Sequence, residues 1–295
     1  MSKIEVITLV DGIPILSNQG QAAFGSVTLI EGNDREGKLR RIIVDTAHVG
    51  RRVLIVDSLD ARGLTPLDID YVVGTHAHWD HIQNVDLFTN AVLLMNKSER
   101  IYAHKPKIDD WATPSWTGFI IEQLPIQEVG DGHEIIPGVT IMEMPGHSIG
   151  SIGVIAETDQ GRVAVTSDAL HFAWAALMGE NPLVFWDEVQ AAKSIKRIMD
   201  ETDIVFPGHD APFRMSKSGQ VEYMAEVNIT IAGIDPKFVP VDKSILRMPG
   251  RHANCGCDVG AIRCEDHTRI HEVVKRRYEA GEKPLPTHKW DKVAM

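Results

Sequence analysis

Cysteine is nearly absent from this chain: three residues in 295, all between positions 255 and 264. A secreted disulfide framework is thereby excluded, and a reducing, cytoplasmic setting is expected. No apolar run approaches the roughly 18 residues of a membrane span. The N-terminal "MSKIEVITLVDG" is broken by Glu5 and lacks a small-residue cleavage site, so it reads as a first strand and not as a signal peptide. Basic residues are in deficit too, with 30 Lys plus Arg against 41 Asp plus Glu and a formal charge of −11. That field repels phosphate backbones and anionic lipid, which argues against nucleic acid and membrane surfaces as partners. What is left, 43% hydrophobic and 24% charged, is the composition of a globular protein long enough for one large domain or two modest ones.

Short β-branched runs bounded by Gly, Asn or Asp predict strands at "IEVITLV", "SVTLIEG", "RRIIVDTA", "IDYVV", "GVTIMEM", "SIGVIAE", "RVAVTSD" and "DIVF". A "TDQG" turn joins two of them as a hairpin. "GRRVLIVDSLDARG" predicts a helix with apolar Val53, Leu54, Val56 and Leu59, stopped at Gly63. "WDEVQAAKSIKRIMDE" predicts a second, with Asp187 and Gln190 as a capping box and Val189, Ala192, Ile195 and Met199 on one face. Residues 98–130 show no clean period. Their aromatics, Trp111, Trp116 and Phe119, are either a wall of a substrate site or anchors of a loop, and Trp174 and Trp186 join them as a hint of an apolar or aromatic substrate.

Chemistry enters at "YVVGTHAHWDH", residues 71–81, where a strand runs straight into His76, His78, Asp80 and His81. One HxH pair arises easily by chance, but four ligand-type side chains in six positions have no packing rationale. Three later strands also end in such residues: "MEMPGHS" at His147, "VAVTSDA" at Asp168 and "DIVFPGHD" at His209. Loops on one rim of a sheet converge in space although distant in sequence. Imidazole and carboxylate suit borderline divalent ions, and seven such ligands are too many for one tetrahedral ion but natural for two that share a carboxylate.

The run "THAHWDH", followed in order by "PGHSIGS", "TSDA" and "FPGHD", resembles the metallo-β-lactamase-fold hydrolase superfamily over roughly residues 5–215, and in layout the N-acyl-homoserine lactonase-like group. The resemblance implies an α/β (α+β) fold, a four-layer αββα sandwich with metals on one edge. It implies that His76, His78 and His147 hold a first divalent ion, that Asp80, His81 and His209 hold a second, and that Asp168 bridges both. Zn2+ is the first choice of metal, with Fe2+, Mn2+ or Co2+ as alternatives. A hydroxide held by the pair would open a lactone or cleave a related ester or amide of a small molecule, with Asp80 passing a proton to the leaving group. Asp45 in "VDTA" resembles the family's supporting Asp, although the usual following Gly is Ala47 here. The lactonases carry a carbonyl-polarising Tyr three residues past the bridging Asp. Here that residue is His171, either a hydrogen-bond donor to the substrate or a packing residue.

The fold alone leaves two rival activities open: a mononuclear non-haem iron oxygenase acting on a persulfide, and a thioester hydrolase of the glyoxalase II kind. A non-enzymatic metal-binding module would be expected to have lost some ligands. Residues 1–235 are expected to form the catalytic domain and 236–295 a C-terminal extension that covers the site or makes a subunit contact, so a homodimer is left open. Within it Cys255, Cys257, Cys264 and His267 form either a structural zinc site or ordinary thiols, because CxC is tighter than the usual finger spacing.

Overall fold

The computed structural model describes residues 3–17 and 20–227. The expected boundary at 235/236 and the Cys/His cluster lie outside them. In chain order the first half comprises β1 (Glu5–Val10), β2 (Ile13–Ser17), β3 (Gly20–Phe24), β4 (Val27–Asn33), β5 (Leu39–Val44), α1 (Arg52–Asp60), β6 (Tyr71–Val73), α2 (Trp79–Ile82), β7 (Val92–Asn96), α3 (Lys97–His104), α4 (Thr117–Ile121) and β8 (Ile126–Val129). The second half comprises β9 (Glu134–Ile136), β10 (Val139–Glu143), β11 (Ile152–Thr158), β12 (Gly161–Ser167), α5 (Ala173–Met178), α6 (Glu188–Glu201), β13 (Ile204–Pro207), β14 (Phe213–Met215) and β15 (Val221–Tyr223). Among the described residues no helix is long and apolar enough to cross a membrane.

Two sheets result, in the orders β1-β4-β5-β6-β7-β8 and β15-β14-β13-β12-β11-β10-β9, with β2 and β3 as a separate hairpin. Strand side chains alternate between faces, and here both faces are apolar. Along β5, Ile42 and Val44 enter a core shared with Val154 of β11 and Val165 of β12, while Ile43 enters another with Ile55 and Leu59 of α1. Along β11 and β12, Ile155 and Ala164 turn the other way, onto Ile195 and Ile198 of α6. Three apolar layers between helix, sheet, sheet and helix make the expected αββα sandwich, each fully buried Val, Leu or Ile stabilising it by about 1.5–3 kcal/mol.

The "TDQG" hairpin forms between β11 and β12, Thr158 pairing with Gly161. The first predicted helix stops where expected: Gly63 takes φ +71° and its N–H donates to the Asp60 carbonyl. Only some of the apolar residues of each helix are buried, and the buried face of α6 differs from the one expected. In α1 the buried residues are Ile55 and Leu59, while Val53 and Leu54 are exposed. In α6 they are Ala191, Ser194, Ile195 and Ile198, and Val189 is 64% exposed. A nearly continuous apolar run fits several helical stripes, and contact with the sheet selects one. Only half the capping box forms: the Asp187 carboxylate accepts from the Gln190 N–H at 2.7 Å, but the Asp187 N–H donates to Gly146 and leaves Gln190 nothing to cap. The stretch without period contains α3, α4 and β8, too short for a period to show.

With this α6 face buried, Ile198→Ala should cost about 2–4 kcal/mol and Val189→Ala less than about 0.5 kcal/mol in urea unfolding. Equal costs would contradict this packing.

Candidate metal centre

Strand direction brings the predicted ligands together. β5, β6 and β7 are parallel, so Asp45 and the 74–81 loop leave the first sheet at the same edge. β10 is antiparallel to β11 and β11 to β12, so β10 runs with β12, and β12 is parallel to β13. His147, Asp168 and His209 therefore share an edge of the second sheet. The two edges are joined by backbone hydrogen bonds from Ser26 N–H to Gly208 (2.8 Å) and from Ile152 N–H to Thr75 (3.0 Å).

All seven candidate ligands are at most 4% exposed. Donor atoms of His76, His78, His147 and Asp168 cluster within 4.8 Å, as do those of Asp80, His81 and His209. Asp168 faces both sets. Its Oδ2 lies 4.0 Å from His76 Nε2 and 3.6 Å from His147 Nε2; its Oδ1 lies 3.4 Å from His81 Nε2 and 3.2 Å from His209 Nε2. Asp80 Oδ2 stands 3.5 Å from His81 Nε2 and 3.4 Å from His209 Nε2.

Apart from His147 Nε2, which pairs with His78 Nδ1 at 2.9 Å, these atoms approach without bonding. His76 Nε2, His81 Nε2 and Asp168 Oδ1 are buried and have no hydrogen-bond partner. Orphaned polar atoms at such spacing are what a cation would satisfy, since two ligands each about 2.0–2.1 Å from one tetrahedral ion stand about 3.3 Å apart. Burial and the neighbouring imidazoles hold His76 and His147 well below the ordinary histidine value, leaving both as neutral bases. Burial acts the same way on His81 and His209, but Asp168 and Asp80 outweigh it and raise both. Burial opposes ionisation of Asp168 and Asp80 as well, yet the imidazoles win and hold both carboxyls down.

Outer groups fix the rings. His81 Nδ1 lies 2.8 Å from Asp45 Oδ2, which also accepts from Ser167 Oγ at 2.6 Å; Asp45 accepts further from the Thr75 N–H at 3.0 Å. His147 Nδ1 donates to the Leu183 carbonyl at 2.6 Å, and Asn181 ties that loop to the Asp168 carbonyl at 2.8 Å. Fixing the far nitrogen aims the near one. Among the described residues the non-glycine positions with positive φ are Asp45 (60°), Ala47 (52°) and Ser167 (48°), all beside these ligands. Such backbone costs about 1–3 kcal/mol per residue, and Ala47 shows why a glycine is usual there.

Sequence reasoning missed Asp110. Its Oδ2 is 3.6 Å from His78 Nε2 and accepts from Tyr102 Oη and Thr113 Oγ1, both at 2.8 Å. It sits in the stretch without period, and an Asp109–Asp110 pair there carries no metal-site signal. His171 is 3% exposed, with Nε2 3.0 Å from Asp168 Oδ2 but not aligned as a donor to it. Burial lowers its pKa against the pull of Asp168. A cavity of about 240 Å³ adjoins the cluster, walled by Trp79, Trp111, His171, Phe172, Pro182 and Leu183. The aromatics thus divide: Trp111 walls the cavity, whereas Trp186 anchors a loop beneath the Lys107 ammonium, 4.1 Å from its ring.

Residues 21–209 match the Metallo-beta-lactamase superfamily. The chain belongs to that superfamily. As a metallo-β-lactamase superfamily hydrolase it is 31% identical over 206 residues to an N-acyl homoserine lactonase of Bacillus cereus, spanning 67% of this chain and 76% of the relative. It is 29% identical over 205 residues to Metallo-beta-lactamase domain-containing protein 1 of Xenopus laevis, spanning 68% and 76%. In three dimensions it resembles a point mutant of B. thuringiensis AiiA with N-decanoyl-L-homoserine bound at the active site (TM-score 0.54, 23% identity, 70% and 93% covered). It also resembles AidC, a dizinc quorum-quenching lactonase (TM-score 0.53, 17% identity, 70% and 81% covered).

In this superfamily member Gly208 leaves no room for a side chain: a Cβ there would lie 2.0 Å from Asp168 Oδ1. Gly208→Ala should displace the carboxylate and weaken Zn2+ uptake about 10–100-fold in equilibrium dialysis. Unchanged uptake would contradict the placement of Asp168.

Proposed function

We propose that this hydrolase opens a lactone, or cleaves a related ester or amide, of a small neutral molecule, and that it does so with two divalent ions. The observation that carries the two-ion reading is the division of the Asp168 oxygens between two imidazole sets. His76, His78 and His147 would hold the first ion, Asp80, His81 and His209 the second, and Asp168 both. Zn2+ is the first candidate, supported by the donor set and by the dizinc neighbour AidC. When bound, such ions supply Lewis acidity and a nucleophile at neutral pH.

The chain's own groups do the rest. Trp111 and Phe172 hold the apolar part of the substrate against the cluster. His171, its ring nitrogens unspent in hydrogen bonds, donates an N–H to the carbonyl oxygen as charge develops there. Asp80, kept ionised by His81, directs Oδ2 at His81 and His209, and its Oδ1 takes up the proton that the attacking water gives up and then passes it to the leaving group.

The rival activities have less support. A mononuclear oxygenase has no use for Asp80, His81 and His209, which nevertheless form a compact buried set. A glutathione thioesterase must pair a carboxylate-bearing substrate, and no Lys or Arg is among the described residues that line the cavity. The scarcity of cysteine supports a cytoplasmic setting.

Proton release by the metal-loaded protein should be chelator-sensitive with lactones and absent with phosphotriesters, and Asp168→Ala should abolish it. His171→Ala should lower kcat about 100-fold, and His171→Tyr should restore most of the loss. Silence toward lactones, esters and thioesters alike would overturn the hydrolytic reading of the substrate and send the search to bound iron.

A further inference from the structure

Asp45 braces one half of the centre: it holds His81 directly and Asp168 through Ser167. The other half, His76, His78 and His147, comes from two loops belonging to different sheets; Asp45 reaches His76 through Thr75 Oγ1, 3.0 Å from His76 Nδ1, but makes no hydrogen bond toward His78 or His147. A second carboxylate lies between those loops. Glu99, in the first turn of α3, is fully buried. Its Oε1 accepts the N–H of Ala77, the residue between His76 and His78, at 2.9 Å. Its Oε2 accepts the N–H of Gly150 at 2.8 Å and the hydroxyl of Ser148, the residue after His147, at 2.5 Å.

We propose that Glu99 is the positioning residue of the three-histidine site, clamping the 76–78 loop to the 147–150 loop so that three imidazoles from two sheets meet at one point. Only a carboxylate can do this. Both loops offer donors, two of them backbone N–H groups that cannot turn away, so the bridging group must accept on both sides and reach across with both oxygens. A Gln would present an NH2 to one loop, donor against donor. An Asp, one methylene shorter, would reach only one of them. Three hydrogen bonds on a helix turn also hold the loops before any ion arrives, which lowers the ordering cost of binding.

The inference rests on the two-ion reading above, and metal uptake by the full chain separates the two. Co2+ is titrated into wild type, Glu99→Gln and Ser148→Ala and followed by visible absorption, with His147→Ala and His209→Ala as references for loss of the first and the second site. Unfolding of each metal-free chain serves as the control for general destabilisation. Glu99→Gln should lose about 10–100-fold in affinity at one site only, and its residual Co2+ spectrum should match that of His147→Ala. Ser148→Ala, which removes one of the three bonds, should lose several-fold at the same site and supplies the test if Glu99→Gln does not fold. Wild-type affinity at both sites would overturn the role of Glu99. So would equal weakening of both sites in step with a lowered Tm of the metal-free chain. A wild type that takes up no ion would overturn the two-ion reading and this inference with it.

Discussion

An imidazole or carboxylate taken out of water loses roughly 2–7 kcal/mol or more unless a partner replaces the solvent. Here five imidazoles and two carboxylates are removed together, each at most 4% exposed. Apart from the His78–His147 pair at 2.9 Å, their inward atoms stand 3.2–4.0 Å apart and are not aligned as hydrogen bonds. Left to themselves such groups would rotate apart or take up protons. Holding them inward is therefore work that the surrounding structure must do, and much of that structure is explained by it.

The work is divided between sheets and braces. Two sheets, apolar on both faces, are pressed together by their shared core, which fixes the distance between their edges. Strand direction then delivers Asp45 and the 74–81 loop from one edge and His147, Asp168 and His209 from the other. Hydrogen-bonded outer groups set two of the rings: Asp45 and Ser167 on the side of His81, Leu183 and Asn181 on the side of His147. The positive φ angles of Asp45, Ala47 and Ser167 show that this arrangement is reached against local backbone preference. Cores of this size can bear strain of that order, and it is confined to the edge where the donors converge.

The candidate ligand residues were legible because metal chemistry restricts side-chain type sharply and places it at strand ends. His76, His78, Asp80, His81, His147, Asp168 and His209 each follow a β-branched run that has period two or is wholly apolar. Their supports were not. Asp110, beside Asp109, and Glu99 lie in segments whose periodicity is weak, and nothing local separates them from the other acidic residues of an acidic chain. The apolar face of α6 was misread for a related reason: Val189 is hydrophobic, but hydrophobicity alone does not say which of two adjacent stripes meets the sheet.

By itself the sequence determined the class of chemistry, eight of the strands that frame the two sheets, the turn at Gly161, the stop at Gly63 and the candidate donor set at the strand ends, while strands such as β7 and β8 went unread. These depend on residue type and on neighbours within a few positions, where backbone geometry and ligand chemistry act directly. Tertiary structure alone decided that Asp168 divides its oxygens between two imidazole sets, that Trp111 faces the cavity while Trp186 does not, and that Glu99 spans two loops. Those relations join residues tens of positions apart, and they exist only once two sheets have packed at a fixed separation.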